Sequence, residues 1–160
     1  MKRILIGLAA LAFTICPAMA EDIKKITLDP ATITPKIETE AAKAGEQPAI
    51  KVTVQWPTII SLGEVTGLNI DDAKLIYTAK VKTDLEAGTA FLEMWVDVNG
   101  RQYFSRGMND AVGKKTDWKT IGTPFILQKG QKATKATLNL IINGHGTVWV
   151  NDAVLAKEPR

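Results

Sequence analysis

The chain has 160 residues, 46% of them hydrophobic and 23% charged, with one cysteine and one histidine. That length suits one compact domain, and that apolar share excludes wholesale disorder. Twenty basic residues stand against 17 acidic; without Lys2 and Arg3, which sit in a removable leader, the balance is about +1, so charge gives no general reason to bind nucleic acid or an anionic membrane.

Residues 1–20 read as a secretory signal peptide. Lys2 and Arg3 form the positive start, Ile4 to Ile15 the apolar stretch, Pro17 the break, and Ala18-Met19-Ala20 the small-x-small pattern for cleavage before Glu21. The apolar run is shorter than the roughly 20 residues of a membrane span. Ile15 precedes Cys16 where lipid attachment expects a small residue, which argues against a lipoprotein. Once Cys16 leaves with the leader, disulfides, cysteine metal sites and cysteine nucleophiles are excluded. The expected product is one exported domain, residues 21–160, periplasmic or secreted, with no membrane insertion after cleavage.

Pro30, Pro35 and Pro48 disfavour helix in the first stretch, except around Glu38–Lys43. Short strands are expected at about Lys24–Leu28 and Thr32–Glu38, then a turn over Ala44–Pro48. From Ile50 the chain alternates, with Ile50, Val52, Val54 and Trp56 on one face and Lys51, Thr53 and Gln55 on the other; Trp56 is thus expected in the core. Leu75, Tyr77, Ala79 and Val81 repeat the pattern over residues 73–82. Residues 89–98 form the strongest strand. Further strands are expected near Lys119–Leu127, Lys135–Asn143 and Thr147–Leu155, with Gly144-His145-Gly146 as a loop between the last two. Trp118 is expected at a sandwich edge, and Trp149 on the face opposite Val148 and Val150. About eight strands, no long helix and no repeat predict an all-β fold, an antiparallel β-sandwich.

Asn99-Gly100 predicts a two-residue turn, since both residues tolerate positive φ. Val98 then faces Arg101, and one face of the hairpin carries Glu93 opposite Arg106, Trp95 opposite Phe104 and Asp97 opposite Gln102. The other face carries Leu92, Met94, Val96, Val98 and Tyr103 and reads as core. The outer face has two readings. It is a cross-strand aromatic pair under a loop, with Glu93 and Arg106 a surface salt bridge; or it is a ligand platform, where rings stack on the C–H face of a sugar and the polar side chains bind its hydroxyls.

Catalytic patterns are lacking. One histidine makes no metal cluster, and Gly-x-Ser-x-Gly and His-Glu-x-x-His do not occur. Glu93 and Asp97, four apart on a strand, stand about 13 Å from each other, too far for a glycosidase pair. Asp71-Asp72 and Asn151-Asp152 are oxygen-rich pairs suited either to capping turns or to calcium.

The C-terminal part, Thr116-Asp117-Trp118, Leu138-Asn139-Leu140-Ile141-Ile142 and Gly144-His145-Gly146-Thr147-Val148-Trp149-Val150-Asn151-Asp152-Ala153-Val154-Leu155, resembles galactose-binding-like jelly rolls, a fold that many carbohydrate-binding modules use. The likeness covers about residues 73–155 and, more weakly, 50–72. It implies a jelly roll, a sugar site on the concave sheet or at its edge, and a structural calcium near the first and closing strands. Asn151 stands where the family has the first Asp of the closing motif, keeping a carbonyl oxygen but no charge; Asn151 and Asp152 are the metal candidates. The expectation is a non-catalytic binding protein taking glycan through Trp95, Phe104, Glu93, Asp97, Gln102 and Arg106, with no cofactor beyond that calcium. The alternative is a structural or interaction protein of the cell envelope, its outer hairpin face covered by a protein partner. Oligomeric state is not legible.

Overall fold

The computed structural model describes residues 20–28, 37–40 and 48–160. The leader, most of the strand expected at Thr32–Glu38 and all but the end of the Ala44–Pro48 turn lie outside the described residues. Eight antiparallel strands follow in chain order: β1 (Glu21–Lys25), β2 (Ile37–Glu40), β3 (Ala49–Val54), β4 (Thr58–Ile70), β5 (Ala73–Val98), β6 (Arg101–Arg106), β7 (Val112–Leu127) and β8 (Ala133–Pro159). A 3-10 turn at Met108–Asp110 links β6 to β7. Among the described residues no helix is long and apolar enough to cross a membrane. Residues Glu38–Glu40, where helix was conceivable, are strand.

β5 and β8 pair along nearly their whole length and form the spine. The second half of β5 and the first half of β8 lie between β4 and β6; the first half of β5 and the second half of β8 lie among β7, β3, β2 and β1. Side chains from both halves of the spine meet in one core, so the sheet folds over between them, where the register shifts at Leu85–Ala87 of β5 opposite His145 and Gly146 of β8, into a β-sandwich. The bend is built from glycine. A Cβ on Gly88 would lie 2.0 Å from the Asn143 carbonyl oxygen, and one on Gly144 would lie 2.1 Å from that of Ala87, so the two backbones touch where side chains would hold them apart.

The fold explains why sequence alternation breaks there. In β5 the odd positions from Ala73 to Leu85 are buried, then the even positions from Ala90 to Val98. One extra residue bulges between Leu85 and Ala87, so the same face of the strand stays inward while its parity changes. The two strands expected at 73–82 and 89–98 are therefore one, and so are those at 135–143 and 147–155. His145, expected in a loop, lies inside β8 with its side chain half exposed and 3.4 Å from the Glu86 carboxylate.

The core between the layers holds Leu92, Met94, Val96, Leu138, Leu140, Ile142 and Ile60 from one half, and Ile50, Val52, Leu75, Tyr77, Val81, Val148, Val150 and Leu155 from the other. Other expectations are corrected. Trp56 is 71% exposed, because β3 ends at Val54 and the chain turns before Pro57. Tyr103 is 46% exposed, because β6 is an edge strand and Tyr103 opens onto a hollow with Val98 and Phe125 instead of a sealed interior. β1 starts earlier than Lys24, and β7 begins at Val112. β4 was not foreseen: a register shift between Ser61 and Gly63 breaks its alternation.

Candidate functional site

The hairpin has the expected register. Asn99 and Gly100 take φ of 50° and 78°, and the pairs Glu93–Arg106, Trp95–Phe104, Asp97–Gln102 and Val98–Arg101 follow. Asn99 also ties the turn to the rest of the domain, donating from Nδ2 to the Gly130 carbonyl at 2.9 Å and accepting at Oδ1 from the Lys132 amide at 3.1 Å.

Tertiary pairing widens this face to four strands, in rows running β4–β8–β5–β6. One row is Ser61, Asn139, Glu93 and Arg106; the next is Glu64, Thr137, Trp95 and Phe104; the third is Thr66, Lys135, Asp97 and Gln102. Trp95 and Phe104 have ring centroids 5.0 Å apart at 44°, a tilted pair. Phe104 is 51% exposed and Trp95 is half-buried. The Arg106 guanidinium sits 4.7 Å over the Phe104 ring. Lys135 is 3.1 Å from the Glu64 carboxylate and 4.0 Å from that of Asp97.

Glu93 departs from its expected part. It is 2% exposed, so it is not an open contact for a ligand. Its carboxylate accepts from Trp95 Nε1 at 2.7 Å, from Arg106 Nε at 2.6 Å and from Asn139 Nδ2 at 3.3 Å. Burial alone would raise its pKa. The hydrogen bonds from Arg106, Trp95 and Asn139, with the charge of Arg106, outweigh that and hold the carboxyl below the usual glutamate range. The group works as a clamp: it fixes the indole edge and the arginine stem, and among the described residues it leaves the terminal guanidinium nitrogens of Arg106 without a hydrogen-bond partner.

Beside the rings lies a cleft of about 350 Å³ lined by Pro57, Ile59, Phe91, Ile141, Glu93 and Arg106 among others. Ile59, Ile141 and Phe91 form the row beyond Asn139 and Glu93. Sequence reasoning missed Lys135, Thr137 and Asn139 here. Their alternation with Ala136, Leu138 and Leu140 marks an outer face, but not that this face lies beside Trp95.

Asn151 and Asp152 lie together at a bulge in β8, where Asp152 takes φ of 48°. The Asp152 carboxylate lies 2.9 Å from the Lys80 ammonium and 3.7 Å from that of Lys25, and hydrogen bonding to Lys80 leads the causes that keep its pKa low. Two ammonium groups already answer its charge, so the pair as arranged does not fit a calcium ion. Among the described residues no three His, Cys, Asp or Glu side chains group for a metal.

The class that the fold defines is the antiparallel β-sandwich. Two solved structures share it. The N-terminal modules of endo-1,4-β-D-xylanase 10B from Clostridium thermocellum, CBM22-1 with GH10 and complexed with xylohexaose, match 89% of this chain at a TM-score of 0.53 and 9% identity. The enzymatically active domain of tailspike protein 4 from bacteriophage CBA120 matches 77% at 0.54 and 7%. The chain spans 29% and 17% of the length of those two structures. No protein-family model matches the chain, and no curated protein matches it in sequence.

Proposed function

We propose that the protein is an exported, non-catalytic glycan-binding protein whose platform is the outer face of β4–β8–β5–β6. The observation that carries the reading is the Trp95–Phe104 pair, with Phe104 exposed and Trp95 half-buried beside it, on a field of hydrogen-bonding side chains. The rings stack on the apolar face of a sugar; Asp97, Gln102, Lys135 and the outer nitrogens of Arg106 take its hydroxyls; Glu93 positions Trp95 and Arg106. The cleft beside them receives an adjoining sugar. The likeness in fold to a carbohydrate-binding module supports this, and the signal-peptide pattern of residues 1–20 supports export to the periplasm or beyond. A glycan array covering plant, algal and bacterial polysaccharides tests it. Wild type should bind, and Phe104→Ala should weaken binding by about tenfold, the worth of one stacked ring, while the melting curve holds. Trp95→Ala should abolish the signal. Silence of folded wild type across the array overturns the reading.

One observation favours a second reading, protein docking at the β6 edge: Tyr103, Phe104 and Ile126 are all more than 45% exposed near one hollow. A glycan-silent protein that loses an envelope partner on Tyr103→Ser would establish it instead.

A further inference from the structure

A second cleft opens on the outer face of the other half of the sheet, beside two bulges. β5 runs between β7 and β8, and both neighbours carry one extra residue beside the same stretch of β5. On β7 the pairing slips between Val81–Lys119 and Thr83–Thr116, which places Asp117 and Trp118 together against Lys82. On β8 it slips between Lys80–Asn151 and Thr78–Val154, which sets Asp152 and Ala153 together against Ala79, with Asn151 next to them opposite Lys80. Bulges re-aim side chains and gather beside functional sites.

What the two bulges aim at is a cleft of about 190 Å³ lined by Trp118, Thr120, Lys80, Asn151 and Asp152. Trp118 is 41% exposed, and the Asp117 carboxylate accepts from its backbone amide at 2.8 Å. Asn151 is only 9% exposed, and its Oδ1 is buried with no hydrogen-bond partner among the described residues. A buried acceptor without a donor costs on the order of 1–3 kcal/mol, so it calls for an incoming O–H or N–H. The charges in the cleft are answered within it, Lys80 against Asp152 at 2.9 Å, so nothing there selects a charged ligand.

We infer that this cleft binds a neutral sugar residue, with a hydroxyl donating to Asn151 Oδ1 and the C–H face of the ring resting on Trp118. The protein then carries two glycan sites on opposite layers and can bridge two chains. The ligand class is shared with the proposed function, but the residues are not, so the two can fail separately.

The test follows the indole and side-chain amide signals of the folded protein by NMR. It uses xylohexaose, cellohexaose and mannohexaose in turn, to about 10 mM, where even a millimolar Kd is largely saturated. At least one probe should shift Trp118 and Asn151 saturably, in Trp95→Ala as in wild type. Trp118→Ala should remove the Asn151 shift. Asn151→Leu should keep or raise Tm and weaken the Trp118 response by about tenfold, the loss of one hydrogen bond. If Asn151→Leu does not fold, Trp118→Ala decides alone. Shifts at Trp95 with none at Trp118 or Asn151 overturn this site and leave the platform standing. Shifts at Trp118 and Asn151 alone uphold this site and remove the platform. No shift with any probe, or an unchanged Trp118 response in folded Asn151→Leu, also overturns it.

Discussion

At the scale of single residues, the outer face depends on one buried carboxylate. Glu93 gathers three donors from three strands, and its contribution to stability has a definite sign. Its folded pKa lies below its unfolded value, so the contribution is complete above the ordinary glutamate value of about 4.3 and fades as pH falls through the lowered folded value. Trp95 indole fluorescence and the thermal midpoint should stay flat from neutrality to about pH 5 and change together below about pH 4. Glu93→Gln should remove that acid-side change. It should also cost about 1–2 kcal/mol at neutral pH, since an amide turns an N–H toward Trp95 or Arg106. A variant whose midpoint and acid profile match wild type would show that the clamp contributes nothing. Sequence pairing put Glu93 opposite Arg106 but on a wet surface. Among the groups that enclose it is Asn139, 46 residues away and brought alongside only by β8.

At the scale of elements, glycine separates two kinds of site. Gly100 has a positive φ and open space around it, so Gly100→Ala should cost only about 1 kcal/mol, the strain of a left-handed residue. Gly88 has a positive φ of 92° and, in addition, backbone atoms of β8 within 2.0–2.8 Å of any added Cβ. Gly88→Ala should therefore cost upward of about 4 kcal/mol or prevent folding, because two strands must part. Denaturant titration of both variants checks the contrast, and equal costs would refute the account of the bend. The hairpin at Asn99-Gly100 was legible in the sequence because turn chemistry and alternation are local. The bend was not: Gly144-His145-Gly146 looks like a loop until β5 lies against it. For the same reason the bulges at Trp118 and Asn151 are invisible in one strand read alone, since a bulge is a mismatch between two strands.

At the scale of the whole molecule, the sandwich presents two outer faces with different chemistry. Trp95, Phe104 and the clamped arginine stand on one. On the other, Trp149 donates its indole N–H to Glu40 and carries the Lys82 ammonium 4.7 Å over its ring, the two lining a hollow with Asp117. The closing strand is fastened to β1 and β5 through Asp152, by Lys25 and Lys80. Calcium should accordingly leave the melting temperature unchanged, as should chelator; a specifically bound ion at a hundred times its Kd would add about 2.7 kcal/mol, a shift that calorimetry would not miss. Sequence alone settled the inward faces of β3 and of each half of β5, and the pairing across residues 99–100, because each depends on neighbours a few positions apart. Only the tertiary structure decided that Trp56 and Tyr103 face solvent, that Glu93 is enclosed, and that Trp118 and Asn151 meet. Those facts depend on which distant strand lies alongside, and side-chain periodicity within one strand holds no record of its neighbour.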